Sequence, residues 1–255
     1  MSLKSSAPLG IVAAVQEEIS ALIDELRLNH MQVVSIGQRN YYVGSLWQQY
    51  CVVTLARIGK VAAATTASAL IHKFGVRAIL FTGMAGGLSN SLRIGDIVIA
   101  ASLMQHDMDA SPLFPRHQIP MLDRNSFSPC PILTETLTQA SHNFLENNSN
   151  LPHLPSGQIP RIHSGLIVSG DQFISDQLAR TAIQMTIPDA LAVEMEGGAI
   201  AQVCYEYSVP FAVMRTISDS ADEQAVTSFS DSLRRVASVY SYGVVRHFLQ
   251  LLQHR

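Results

Sequence analysis

Apolar runs of strand length recur along the chain, and most are followed by a stretch whose apolar residues return at helical spacing. Leu9–Val15 is continuously apolar, and Gln16–Leu26 then sets Ile19, Leu22, Ile23 and Leu26 on one helical face. Gly59–Phe74 is alanine-rich and helical, closes on Gly75 where a C-cap favours glycine, and leads into the buried strand Val76–Thr82. Asp96–Ser102, Ile162–Val168, Leu191–Val193 and Val209–Thr216 are further strand candidates, interleaved with helical candidates near 132–146, 175–185, 196–207 and 228–252. A strand that is apolar on every side chain needs cover on both faces, so this alternation predicts an α/β fold with a largely parallel sheet between helices. Met31–Ile36, Tyr41–Leu46 and Cys51–Ala56 read instead as antiparallel strands joined by tight turns, which makes the central sheet mixed.

With 255 residues, 47% of them hydrophobic and 15% charged, the chain fills one core. We expect a tail over 1–8 and a single domain over 9–255. The rhythm breaks between Gln105 and Ser156, where Pro112, Pro115, Pro120, Pro129 and Pro131 forbid regular structure throughout. Loops of that length in compact domains serve as lids, binding loops or subunit contacts. A formal charge of −3 supplies no broad positive field for nucleic acid or an anionic membrane surface, so a small neutral ligand fits better. Cys51, Cys130 and Cys204 lack the spacing of a disulfide framework or a zinc site. The apolar run at the N-terminus meets Glu17 and Glu18 where a leader peptide needs small residues, and no stretch is long enough to span a bilayer. A cytoplasmic location is the expectation.

Four segments hold residues suited to chemistry. Glu17 and Glu18 stand where the first strand yields to a helix, at the carboxyl edge where α/β sheets bind ligands; acidic residues in a first turn equally complement the helix dipole. Adjacent helical residues point about 100° apart, so one of the two at most faces a pocket. Thr82–Gly87 (TGMAGG) lets backbone approach a ligand closely but has neither the P-loop nor the dinucleotide spacing, and a plain tight turn explains it as well. Val193–Gly198 (VEMEGG) puts Glu194 and Glu196 on one side if the strand continues; one of them is able to accept both hydroxyls of a ribose, or both simply start a helix. Ala212–Ala221 (AVMRTISDSA) ends an apolar strand in Arg215, Ser218 and Asp219, where Arg215 and Asp219 either form an ion pair or take part in a site. His106-Asp107-Met108-Asp109 offers too few converging ligands for a cation, and no serine occupies a nucleophile elbow. We expect neither metal nor cofactor.

Taken in order, Gly10–Glu18, Gly59-Lys60-Val61, Thr82–Leu88, Arg93–Val98, Ser164–Ile174, Val193–Glu196 and Arg215–Asp222 resemble the methylthioadenosine/S-adenosylhomocysteine nucleosidases, of the nucleoside phosphorylase superfamily. The similarity runs from about residue 9 to 250, with only 112–161 lacking clear correspondence. The resemblance implies a nucleoside phosphorylase-like fold, no cofactor and a homodimer in which the segment after His-Asp-x-Asp reaches the neighbouring site. It also implies that Asp219 protonates N7 of adenine, that Glu18 activates the attacking water, and that Arg215 supports the water site. Glu196 would hold the ribose hydroxyls with Met195 beside the sugar, Phe173 and Ile174 would hold the base, Ser218 would orient Asp219, and Phe229 would line the 5′ pocket. Ile58 and Met84 fall beside the substrate; Met84 stands where the family carries Ser, Val15 where Met is common, and Gly197-Gly198 where larger residues stand.

Because an arginine beside Asp219 would strip its proton, we expect Arg215 to engage the water or Glu18 instead. A phosphorylase of the same fold needs cations for phosphate where this chain has Glu17 and Glu18, which disfavours it. Hydrolases of other nucleosides, such as futalosine, and a non-catalytic nucleoside-binding protein remain alternatives.

Overall fold

The computed structural model describes residues 7–147 and 159–253. Most of the expected tail, 1–6, and the end of the Pro-rich stretch, 148–156, lie outside them. The order is β1 (Leu9–Ala13), α1 (Gln16–Arg27), β2 (Gln32–Ile36), β3 (Arg39–Leu46), β4 (Gln49–Leu55), α2 (Lys60–Phe74), β5 (Ala78–Phe81), β6 (Met84–Gly87) and β7 (Ile97–Gln105). Then follow β8 (Ser126–Phe127), α3 (Pro131–Asn147), β9 (Ile162–Ser169), α4 (Gln177–Thr186), β10 (Ala190–Glu194), α5 (Gly197–Glu206), β11 (Phe211–Asp219), α6 (Ala225–Ser232) and α7 (Ser238–Leu252).

The sheet runs β2-β3-β4-β1-β5-β11-β6-β10-β9-β7-β8, and β11 pairs with β7 as well. That extra pairing closes β11, β6, β10, β9 and β7 into a ring. Bulges at Ala190/Ala192, Ala100/Ser102 and Ile217/Asp219 supply the curvature this needs, since an extra residue on one strand bends it and raises its twist. The sheet is mixed: β1 lies parallel to β4 and β5, whereas β7 runs antiparallel to β11 and β10 antiparallel to β6.

Two apolar layers sandwich it. Leu22, Ile23, Leu137, Phe144, Val244 and Phe248, from α1, α3 and α7, cover one face; Ala63, Ala67, Leu70, Ile200 and Cys204, from α2 and α5, cover the other. β11, buried at every one of its 9 residues, is the strand both layers need, which is why Phe211–Met214 is unbroken in apolar character. Helix α2 ends as its sequence predicts, with Gly75 left-handed at φ 59° and its N–H bonded to Ile71 O.

Three expectations change. Residues 84–87, read as part of a turn, form β6, because β10 and β11 offer hydrogen bonds on both sides. The helix expected over 228–252 starts at Ala225 and carries a π-helical turn over Leu233–Ala237, one residue wider per turn than the α-helical spacing assumed. The Pro-rich segment is irregular through its first half but carries the two-residue strand β8, paired with β7.

Candidate active site

The carboxyl ends of β1, β10 and β11 meet around one cavity that is partly open to solvent. Glu18, Glu196 and Asp219 all line it.

Glu18 reaches it from the first turn of α1. Val15 caps that helix in extended conformation, so the Glu18 carboxylate folds back and accepts N–H bonds from Ala14 at 2.8 Å and Val15 at 3.0 Å. A third comes from Met84 N at 2.9 Å on its other oxygen. The chain at Gly83 has φ 154° and passes so close that a side-chain carbon there would sit 2.7 Å from Glu18 Oε1. Burial pushes the Glu18 carboxyl above its ordinary value, against the opposing pull of Arg215 and the three amides. Glu17 points into solvent.

Glu194 and Glu196 do not share a strand face. β10 stops at Glu194, and Glu196 becomes the residue before α5, at φ −135° and ψ −40°. Glu194 turns inward to receive the Glu196 N–H at 3.1 Å and the Gly197 N–H at 2.8 Å, while Ser169 Oγ receives that of Gly198 at 2.6 Å. The orphan amides of the helix start are thereby satisfied. Glu196 is left facing the cavity, where Oε1 accepts the Gly59 N–H at 3.0 Å. Burial first, then the charge of Glu194, raise its pKa, and Arg215 and Gly59 oppose them.

Arg215 does not line the cavity. It lies behind it, with Nη2 2.6 Å from Glu194 Oε2, and its charge reaches Glu18 electrostatically without a direct bond. Its direct partner is Glu194, in a buried ion pair that the sequence reading did not foresee, and of the two expected partners, water or Glu18, it is Glu18 that its charge reaches. No bridge to Asp219 forms. A bulge on β11 pairs Ile217 with Ala85 and Asp219 with Gly86, leaving Ser218 as the extra residue. Asp219 Oδ1 accepts the Ala221 N–H at 2.9 Å, and Ser218 Oγ lies 2.6 Å from Oδ2. Gly86 is bare where this carboxyl packs: an added side-chain carbon would stand 2.9 Å from Asp219 Oδ1. Burial raises the Asp219 pKa beyond what Ser218 and Ala221 take away.

The walls are apolar. Phe173 and Phe229 meet edge to face with centroids 5.6 Å apart, and Met195, Ile174, Met84 and Ile58 are also in the lining. Sequence reasoning did not assign Ala14, Val15, Ala85, Gly86, Gln172 or Val193 to the wall; each lies within two or three residues of one that was singled out, so proximity was the signal available. The role of Glu194 as the anchor of Arg215 was also missed.

A mixed sheet closed into a ring, with acidic groups gathered at its strand ends, defines a member of the Phosphorylase superfamily, whose family model matches residues 8–250. Within that superfamily the chain belongs to the 5′-methylthioadenosine/S-adenosylhomocysteine nucleosidases. It is 36% identical to the nucleosidase of Staphylococcus epidermidis, over 90% of this chain and 93% of the relative, and 37% identical over the same shares to that of Staphylococcus carnosus. Among solved structures, the nucleosidase of Neisseria meningitidis in complex with methylthio-immucillin-A superimposes with a TM-score of 0.84 at 31% identity, covering 96% of this chain and 99% of the other. Futalosine hydrolase of Helicobacter pylori matches with a TM-score of 0.83 at 30% identity, covering 96% and 98%.

Proposed function

We propose that the protein hydrolyses the N-glycosidic bond of 5′-methylthioadenosine, S-adenosylhomocysteine or both, releasing adenine and the thioribose product. The observation that carries this is the convergence of Glu18, Glu196 and Asp219 on one apolar-walled cavity. As the C1′–N9 bond breaks, its electron pair moves onto adenine and the sugar becomes oxocarbenium-like. Asp219, whose affinity for its proton burial raises, gives that proton to N7. Water adds to C1′ and passes its proton to Glu18, whose three amide partners fix the direction of its lone pairs. Glu196 accepts hydrogen bonds from the ribose hydroxyls. Phe173 and Ile174 hold the base, Met195 and Met84 flank the sugar, Ile58 and Phe229 border the 5′ group, and Ser218 orients Asp219. Arg215 acts from behind, through Glu194 and through its field at Glu18.

The Glu18 carboxylate at the water end repels a phosphate dianion, which favours hydrolysis over phosphorolysis. The test is release of free adenine from methylthioadenosine with and without phosphate. Equal release in both arms supports the reading; a phosphate requirement selects a phosphorylase, cleavage of futalosine alone selects that hydrolase, and saturable binding without product selects a sensor.

The reading extends to a homodimer working in the cytoplasm in methionine salvage. Leu113 and Met121, 83% and 88% exposed on the Pro-rich segment, are apolar surface that a second copy would cover. Among the described residues no helix is long and apolar enough to cross a membrane. Sedimentation at micromolar concentration checks the dimer.

A further inference from the structure

Two loops that wall the cavity are tied together outside it. One presents Ile58 and ends at Gly59, the amide that holds Glu196. The other follows β9 and presents Gln172, Phe173 and Ile174. Lys60 joins them: its N–H donates to Asp171 Oδ1 at 2.8 Å, and its ammonium lies 2.5 Å from Asp107 Oδ1 and 3.9 Å from Asp171 Oδ2. Asp107 closes the circuit by accepting the Asp171 N–H at 2.9 Å. Backbone as well as side chains are thus fixed, so the circuit sets where the loops stand and not merely their charge.

We propose that Lys60, with Asp107 and Asp171, is a positioning residue for catalysis: it sets Gly59, and through it Glu196, in register with the wall that holds the base. The proposal rests on the nucleosidase reading. None of the three residues lines the cavity. The Lys60 and Asp107 side chains are 16% and 32% exposed, so water screens the pair in part. Burial alone raises the Asp107 carboxyl, and Lys60 and the Asp171 amide more than offset it, holding it below its usual value. A small displacement of a positioning group costs catalysis far more than it costs folding, up to about 10²-fold for a shift of about 1 Å.

The experiment compares Lys60→Met, Lys60→Arg and Asp107→Asn on methylthioadenosine and on its 2′-deoxy analogue. Lys60→Met and Asp107→Asn are expected to lower kcat/KM about 10- to 100-fold on the ribosyl substrate, with most of it restored by Lys60→Arg. On the deoxy analogue, where Glu196 has lost a hydroxyl to hold, the penalty shrinks several-fold. Equal penalties on both substrates, or none on the ribosyl one, overturn the proposal. If the wild-type protein releases no adenine, the nucleosidase reading falls, and the same ratio taken from dissociation constants decides the clamp. A single Kd for both ligands in all variants sinks it.

Discussion

Arg215 and Glu194 form an ion pair of 2.6 Å with side chains 1% and 3% exposed, and the guanidinium carbon lies 3.7 Å from the centre of the Phe81 ring. The pair is the foundation under Glu196, since Glu194 also holds the amides that start α5. Arg215→Met leaves a buried carboxylate without its cation and is expected to cost about 3–5 kcal/mol of stability. Urea unfolding measures it, and a loss under about 1 kcal/mol contradicts this account.

Asp219→Asn retains a group able to hydrogen-bond the base but none able to transfer a proton to it. The expected loss in kcat is about 10²- to 10⁴-fold. The melting temperature should hold or rise, because a buried carboxyl with a raised pKa is replaced by a neutral amide. Wild-type turnover in this variant would remove Asp219 from the reaction.

Ser218 lowers the Asp219 pKa by bonding the ionised form. Without that hydroxyl the carboxyl keeps its proton to higher pH, and a general acid works only while protonated. Ser218→Ala is therefore expected to move the alkaline limb of kcat/KM upward even though the rate itself falls. A limb that stays put or moves down refutes the sign.

Glu196 gives a stability test. Below the ordinary carboxyl value of 4.5 both folded and unfolded chains hold its proton, and the burial penalty is absent. Above it the unfolded chain ionises first, so stability drains away until the raised folded value is passed. Glu196→Gln does not titrate, and its melting temperature relative to wild type should climb by at least about 2–4 °C between about pH 4 and pH 9. Activity should fall in the same protein. A constant difference across that range means the carboxyl is not penalised by burial.

The framework was legible wherever burial was local. Leu9–Ala13, Ala78–Phe81 and Phe211–Met214 carry no polar side chain because helices cover the sheet on both faces, and they are β1, β5 and the start of β11. β6 was not legible, since Met84-Ala85-Gly86-Gly87 has no strand character apart from the neighbours that pair with it. Alternation along β11 placed Asp219 with Arg215, and the bulge at Ser218 was invisible because register belongs to two strands at once. Arg215 and Glu194 are 21 residues apart, and nothing in either segment marks the other as its partner. The family resemblance named the cavity-lining acids, while position alone left each of them with a bland alternative.

β6 is the shortest way to state what constrains this molecule's history. The Met84 N–H holds the water-side base, Glu18, for which Gly83 just before it leaves room, and two residues after Met84 Gly86 makes room for the leaving-group acid. One four-residue ruler therefore spaces both ends of the reaction. An insertion there would shift the two ends against each other, so new substrates have to be acquired in the surrounding loops, with the ruler left at its length.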